Sequence, residues 1–243
     1  MSSTTLNIVC ISTVPWDNPF LGNRQQVPRA LAEKHNVLYI HLPNKTPFRR
    51  SCFREQKPSS LTQLANDGSF VLLYTPSYNF LPFLRFRTVK KVRDYLLARK
   101  IKKILRDLGW TEYLVWTYYF GSAGLLRNLK PVFSLYDCVD HHAGYPLTRG
   151  DEKSSRRIER DEEDLLRTVD LTVVLSPANR IAKEKIASPI IHVPGGVEFS
   201  HFHRAAEDRL EIPEELKKIS GPVAGFIGSV LSYRFDAGLI ERV

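Results

Sequence analysis

The amino-acid sequence predicts an α/β domain built on a doubly wound parallel sheet. Short apolar segments alternate along the chain with segments of helical periodicity, which is typical of strands joined by helical crossovers. Such alternation favours a parallel sheet with helices on both faces. The composition, 43% apolar and 25% charged over 243 residues, is that of an ordinary globular protein with room for one large domain and a fragment of another.

The first half of the chain predicts strands and helices separated by one long loop. The stretch from 43 to 68 is rich in Pro, Ser and basic residues and is interpreted as that loop. The predicted strands are 6–12, 37–41 and 70–75, and the predicted helices are 25–34 and 85–106.

The second half continues the same alternation up to the turn at Pro194-Gly195-Gly196. Ser176 followed by Pro177 is a strong signal for the start of a helix. About seven strands are expected before the turn. The predicted strands of this half are 113–117, 132–136, 171–175 and 190–193, and its helices are 122–126, 151–168 and the one that Ser176 opens.

The formal charge of +9 is concentrated in one predicted helix. Residues 85–106 contain ten Lys or Arg and one acid, while the rest of the chain is balanced. Such a helix can lie against an anionic membrane surface through Lys90, Lys91, Lys102 and Lys103. The alternative is a surface helix that packs its apolar stripe on the core and leaves its lysines solvated. Nucleic-acid binding is disfavoured because no aromatic RNA-binding signature and no zinc-ligand spacing accompanies the charge.

The cysteines and the first apolar run bear on the cellular compartment. Cys10, Cys52 and Cys138 are few, odd in number and widely spaced, which favours a reducing compartment over a disulfide framework. The first apolar run is too short to span a bilayer and lacks the basic flank of a signal peptide. We therefore expect a cytoplasmic protein, held at the inner face of the plasma membrane if the basic helix binds lipid.

The densest cluster of chemically active side chains follows the predicted strand 132–136. It contains Asp137, Asp140, His141 and His142. Two carboxylates three apart at a strand terminus can serve as a base, orient a sugar hydroxyl, or bind a metal with the histidines. They can equally cap a turn and the next helix. The metal alternative is weak because no distant ligand pair has a recognised spacing, and the histidines are interpreted as loop residues.

Two further segments are candidates for binding phosphate or another anion. The loop after the first strand has Gly22 alone, so it is not a G-x-G-x-x-G dinucleotide fingerprint, and Arg24 either holds an anion or closes a salt bridge. Residues 221–229 predict a buried strand that runs into a glycine turn, an arrangement that presents backbone N–H groups to phosphate. The acidic run at 159–164 predicts a salt-bridged helix surface.

Several segments, taken in order, resemble one family, the group 1 (GT4-like) glycosyltransferases of the GT-B architecture with two Rossmann-like domains. The most specific segment is 194–202, which is similar to the family's Asn-Gly-Val-Asp crossover, with Gly195 in place of the usual Asn and Glu198 in place of the usual Asp. The other segments are 136–140, the acidic helix after it, 170–176 and 225–229.

This resemblance implies a nucleotide-sugar donor, a glycan or lipid-linked acceptor, retention of anomeric configuration, and neither a metal nor another cofactor. Asp137 falls where many relatives carry a histidine that contacts the donor sugar, so of the two candidate catalytic carboxylates, Asp137 and Asp140, Asp137 is favoured as the functional one. The residues expected to line the acceptor side of the cleft are Trp16, Gly22, Asn23 and Arg24, and those expected at the donor phosphates are Gly228, Ser229 and Arg234.

The resemblance also implies a domain organisation. Residues 1–194 would form the acceptor-side domain, 195–220 the crossover, and 221–243 the first strand, turn and helix start of a second Rossmann-like domain. The Glu-x7-Glu region that holds the donor in relatives would lie beyond residue 243, so we expect a truncated hexosyltransferase that is inactive alone. The alternative is a non-catalytic lobe that binds an acceptor or a membrane. One form of this alternative adds a separately encoded chain that supplies the second domain.

Overall fold

The chain divides into two compact units, Met1–Pro194 and Gly195–Val243. The computed structural model describes residues 4–18, 22–42, 61–66, 69–74, 87–147, 150–187, 189–207, 211–221, 223, 225–226 and 235–242.

The first unit is built on an eight-stranded sheet, which confirms the predicted α/β fold class. The strand order is β3-β4-β2-β1-β5-β6-β7-β8, and every neighbouring pair is parallel except the antiparallel pair β3 and β4. The strands are β1 Asn7–Ser12, β2 Asn36–His41, β3 Leu61–Asn66, β4 Ser69–Tyr74, β5 Leu114–Thr117, β6 Phe133–Cys138, β7 Leu171–Val174 and β8 Ile190–His192.

Helices connect most of these strands. Asp151 caps α5 by accepting a hydrogen bond from the Ser154 N–H at 3.0 Å, and Ser176 caps α6 in the same way through the Asn179 N–H at 3.2 Å, as its Ser-Pro signal predicts. The helices of the first unit are α1 Asn23–Ala32, α2 Arg87–Asp107, α3 Ala123–Leu129, α4 Gly144–Leu147, α5 Glu152–Leu166 and α6 Pro177–Lys183.

The strand order reverses direction at β1. From β1 the chain moves outward to β2 and β4, and it then returns to place β5 on the other side of β1. The carboxyl ends of β1 and β5 therefore lie side by side at a topological switch point, where doubly wound folds bind their ligands.

The sheet separates two apolar clusters because successive side chains of a strand point to opposite faces. Val9, Ile11, Leu38 and Ile40 belong to the larger cluster, with the buried side chains of α2, α3 and α5. The alternate residues of the same two strands belong to the smaller cluster, with Trp16 and the apolar side of α1, and these are Ile8, Cys10, Val37 and Tyr39. Alternate residues of β1 and β2 therefore have different surroundings.

Two strand predictions need correction. Strand β3 lies within the stretch interpreted as a loop, and it pairs with β4 so that Asn66 is opposite Ser69. The sequence between them is Asp67-Gly68, a dipeptide favoured in two-residue hairpin loops, so a signal for β3 was present. Strand β6 continues to Cys138 instead of ending at residue 136, which places Asp137 within the strand.

The second unit differs from its prediction. Its described helices are α7 Phe199–Glu207, α8 Glu214–Lys217 and α9 Ala237–Ile240. Val223 and Phe226, expected in a buried strand, are each 56% exposed and lie in no strand. The prediction of a buried strand is wrong for these two residues, and the described part of this unit contains no strand with which their backbone groups could pair.

The predicted basic helix is α2, and its charges are not all on the surface. Its inner side carries Leu97, Ala98, Ile101 and Leu105, which are at most 5% exposed. Lys90 lies on that side and donates a hydrogen bond to Asp161 of α5 at 2.8 Å, so its assignment to a membrane-facing surface is wrong. Among the described residues, no helix is long and apolar enough to cross a membrane.

The acidic helix α5, predicted as a salt-bridged surface, also carries one acid that faces the interior. Glu162 is 4% exposed and pairs with Lys183 of α6, itself 5% exposed, at 2.7 Å. The other carboxylate oxygen of Glu162 accepts a hydrogen bond from the Tyr136 hydroxyl at 2.7 Å. This satisfied ion pair joins α5, α6 and β6 in the interior.

We expect the substitution Lys183→Met to lower the free energy of unfolding by about 3–5 kcal/mol, because it leaves the Glu162 carboxylate buried without its counter-ion. The double substitution Glu162→Gln with Lys183→Met should recover part of that loss. Arg156→Met is the control, since it breaks the Arg156–Glu152 pair whose side chains are 73% and 69% exposed, and it should cost less than about 1 kcal/mol. Urea unfolding followed by circular dichroism measures all three, and equal losses for Lys183→Met and Arg156→Met would contradict the assignment.

Candidate functional site

Polar side chains from several elements meet near the switch point. Arg24 is the second residue of α1, Tyr118 follows β5 directly, and Asp137 is the penultimate residue of β6. Asp140 and His142 come from the turn after β6. Because the parallel strands end at one edge of the sheet, the residues that follow β5 and β6 and the start of α1 come together there. Side chains that are far apart in sequence therefore form one polar site.

Asp137 is the most perturbed carboxyl of this site. It is 5% exposed, and its Oδ2 accepts a hydrogen bond from the Trp116 indole Nε1 at 3.2 Å. Its Oδ1 has no hydrogen-bond partner among the described residues. Burial raises the pKa of Asp137 to about 6, against the opposing effects of the Trp116 hydrogen bond and the charge of Arg24. The side chain caps no turn, which excludes the capping alternative for this residue.

Arg24 supplies the positive charge of the site. One of its terminal nitrogens lies 3.7 Å from Oδ2 of Asp140, with side-chain exposures of 18% and 40% for the two residues. The salt-bridge alternative for Arg24 is therefore correct in this structure. Its Nε is buried and makes no hydrogen bond within the described part of the chain, so the guanidinium keeps a donor for another group.

Tyr118 and His142 complete the site. The Tyr118 hydroxyl is buried without a hydrogen-bond partner among the residues described, and burial raises its pKa well above the ordinary value. Burial and then the charge of Arg24 lower the pKa of His142, so its imidazole is neutral at pH 7. The His142 ring lies 5.2 Å from that of Phe120, between centroids, and its Nε2 likewise lacks a described partner.

Four buried polar atoms without partners thus come from residues of one site: Nε of Arg24, the hydroxyl of Tyr118, Oδ1 of Asp137 and Nε2 of His142. Buried polar groups in native proteins almost always have a partner in the protein, in water or in a ligand. The set combines an obligate donor, an obligate acceptor when ionised, and two groups whose role depends on their protons. Such a mixture suits a ligand whose own groups both donate and accept.

The side chain of Gln25 in α1 holds two residues of the loop after β1 by hydrogen bonds. The buried side chain of Gln25 accepts a hydrogen bond from the Gly22 N–H at 3.2 Å and donates one to the Pro15 carbonyl at 3.1 Å. The Gly22 N–H is therefore already used inside the chain. Asn23 begins α1 at the base of this loop, next to Arg24.

Trp16 packs in the interior of the first unit. It is 7% exposed, its ring lies 5.1 Å from that of Tyr39 in an edge-to-face arrangement, and the Arg29 guanidinium lies 5.2 Å from the Trp16 ring centroid. Within the first unit Trp16 therefore has a packing role, and its place in the cleft stays a prediction.

Sequence reasoning missed Tyr118 and Trp116 and set His142 aside. A tyrosine directly after a short apolar run is a weak signal, and it gains meaning only when β5 is known to lie next to β1. The predicted donor-phosphate residues Gly228, Ser229 and Arg234 lie outside the described residues. No group of three or more His, Cys, Asp or Glu side chains within the described part of the chain is arranged to hold a metal ion.

Comparisons with known proteins give one kind of match. No protein-family model and no curated protein matches the chain. Among solved structures, the catalytic domain of starch synthase IV from Arabidopsis thaliana bound to ADP and acarbose is similar, with a TM-score of 0.46 and 12% identity. The match covers 82% of this chain and 53% of that one, so the chain spans about half the length of that solved structure.

We expect Asp137→Asn to stabilise the protein above pH 6. The folded-state pKa of about 6 exceeds the ordinary 3.8, so the folded protein binds the proton more tightly and wild-type stability falls as the pH rises from about 4 to 6. The asparagine retains an oxygen for Trp116 without the buried charge, and it should gain about 2–3 kcal/mol at pH 7 and nothing at pH 3.5.

Thermal unfolding over this pH range measures the effect, with Asp140→Asn as the matched control because that carboxylate is 40% exposed. An Asp137→Asn protein that is equally or less stable than wild type at pH 7 would contradict the burial argument. Arg24→Gln should extend the stability loss to higher pH, since Arg24 opposes the rise in the folded-state pKa of Asp137.

Proposed function

We propose that this chain carries the acceptor-binding part of a glycosyltransferase that uses a nucleotide-sugar donor. Two linked observations support the proposal. The sequence resembles GT-B glycosyltransferases at 136–140, 170–176 and 194–202. The first of these segments contains Asp137 and Asp140, which are both residues of the polar site at the switch point.

The observation that carries the proposal is the set of unpartnered polar atoms of Arg24, Tyr118, Asp137 and His142. A sugar hydroxyl donates one hydrogen bond and accepts others, so adjacent hydroxyls match a site that offers both kinds of group. A purely anionic ligand would be matched by Arg24 and repelled by ionised Asp137. A hydroxyl-bearing acceptor therefore fits the charge pattern better than phosphate does.

Each side chain has a distinct proposed role. Ionised Asp137 accepts a charge-assisted hydrogen bond from an acceptor hydroxyl and orients its oxygen for attack. Neutral His142 and the Tyr118 hydroxyl contact neighbouring hydroxyls. Arg24 holds Asp140 in place and favours the ionised form of Asp137. Its charge thus keeps the Asp137 carboxylate able to accept this hydrogen bond near neutral pH.

The donor half of the reaction is part of the proposal. A departing nucleoside diphosphate needs backbone N–H groups or cations near its phosphates, and the resemblance assigns Gly228, Ser229 and Arg234 to that task. Retention of configuration at the transferred sugar and transfer to a polysaccharide or lipid-linked glycan in the cell envelope belong to the same proposal.

A second candidate is a carbohydrate-binding lobe without catalysis. It is favoured by one observation: every residue of the polar site lies within the unit Met1–Pro194. The two candidates differ in whether a nucleotide sugar is consumed, since both predict binding of a glycan at Asp137.

We expect Asp137→Asn to weaken glycan binding by about 10- to 100-fold at pH 7.5, because it replaces a charge-assisted hydrogen bond with a neutral one. Wild-type binding should also weaken below about pH 6, as Asp137 becomes protonated, and this pH dependence should vanish in the variant. Saturation-transfer NMR against a panel of oligosaccharides identifies a ligand, and titration calorimetry measures the affinity.

Arg156→Gln, on the exposed side of α5, is the control and should bind as wild type does. Nucleoside diphosphate release from a panel of nucleotide sugars, measured with the identified glycan present and absent, then separates the two candidates. Glycan-dependent release supports the transferase, and glycan binding without release supports the binding lobe. If no oligosaccharide binds, or if Asp137→Asn and Arg156→Gln bind equally, the site assignment is wrong.

A further inference from the structure

The outer side of α2 combines exposed apolar and basic side chains on one stripe. Its members recur at spacings of three and four residues, so they lie next to one another along the helix. We call this stripe the α2 outer face, and its residues are Lys91, Val92, Tyr95, Leu96, Arg99, Lys100 and Lys103.

The apolar part of this face is contiguous. Val92 is 55% exposed, Tyr95 is 51% exposed and Leu96 is 38% exposed, and they occupy positions i, i+3 and i+4. A single exposed apolar residue on a protein surface needs no explanation, whereas several adjacent ones are typical of a surface that binds a protein or a membrane. The inner side of α2 already packs on the core, so core packing does not account for these three.

The basic part surrounds the apolar part. Lys91, Arg99 and Lys100 are exposed, and the Arg99 guanidinium lies 5.9 Å from the centroid of the Tyr95 ring. Lys103 is also exposed but pairs with Asp107 at 2.9 Å on the same helix. The cations therefore flank the apolar side chains, and their long aliphatic stems extend the apolar area that the face can bury.

We propose that the α2 outer face binds the surface of an anionic lipid bilayer. Val92, Tyr95 and Leu96 enter the boundary between headgroups and acyl chains, while Lys91, Arg99 and Lys100 meet the lipid phosphates. The complementarity of charge favours an anionic over a neutral surface. The apolar trio favours a bilayer over a nucleic acid, whose backbone offers phosphates but no apolar layer to receive Val92 and Leu96.

This surface differs from the one that the sequence alone suggested. Lys90 faces inward to Asp161, and Lys102 is only partly exposed. Val92, Tyr95 and Leu96, which are typical core residues, are the ones that distinguish membrane binding from a merely solvated basic helix. The proposal concerns a part of the fold that the polar site does not use, so it stands independently of the proposed function.

Co-sedimentation of the full chain with vesicles tests the proposal. Vesicles of phosphatidylcholine with 30% phosphatidylglycerol should bind the protein, and pure phosphatidylcholine vesicles should bind it at least about tenfold more weakly. The triple variant Lys91→Gln, Arg99→Gln and Lys100→Gln should lose at least about tenfold in affinity for the anionic vesicles, because each basic residue contributes to the attraction. The double variant Val92→Ser and Leu96→Ser should also bind more weakly, at unchanged net charge.

The matched control removes three exposed basic residues from α5, as Lys153→Gln, Arg156→Gln and Arg157→Gln. It has the same net charge as the α2 triple variant and should keep wild-type binding. Equal losses in the two triple variants would overturn the proposal, since net charge would then explain the binding. So would wild-type binding by the Val92→Ser and Leu96→Ser variant, or tighter binding of single-stranded DNA than of anionic vesicles at equal salt. Circular dichroism confirms that every variant is folded.

Discussion

The position of β1 between β2 and β5 is the constraint on which the rest of the first unit depends. Ile11 pairs with both Ile40 and Thr117, so three parallel strands end almost level with one another. Crossovers between parallel strands are right-handed, which sends α1 to one face of the sheet and the returning helix α2 to the other. The beginning of α1 and the residues after β5 are then neighbours. Arg24 and Tyr118 meet at this edge because the strand order reverses there, although 94 positions separate them in sequence.

Two buried carboxylates in this unit differ in how completely their oxygens are hydrogen-bonded. Glu162 accepts hydrogen bonds from Lys183 and Tyr136, so its buried charge is compensated within the chain. Asp137 has only the Trp116 indole on one oxygen, and its other oxygen finds no partner among the described residues. A fully satisfied buried charge indicates a structural role, because it specifies how the elements around it pack. An incompletely satisfied one is expected to find its remaining partner in water or in a ligand.

The sequence predicts most strands and helices of the first unit, although not β3 or α4, because most of them have a local signal. The apolar runs give β1 and β2, and Ser176-Pro177 gives the start of α6. The burial of charged side chains was harder to predict than the elements that carry them. Lys90 and Glu162 are ordinary surface residues by type, and only the packing of α2 and α6 against α5 shows that both face inward. The same limit applies to the site. Asp137 stood out by its cluster, whereas Tyr118 gained a role only through the strand order, which no local pattern encodes.

The hydrogen bond from the Trp116 indole to Asp137 has a consequence for spectroscopy. The transition dipole and the excited-state charge distribution of an indole respond to the charge beside its nitrogen. Trp116 is one of three tryptophans in the chain, and its nitrogen contacts the carboxylate of the polar site directly. The molecule thus contains an intrinsic chromophore beside Asp137, and we expect its emission to change with the ionisation of that carboxylate, which can be followed optically without any added label.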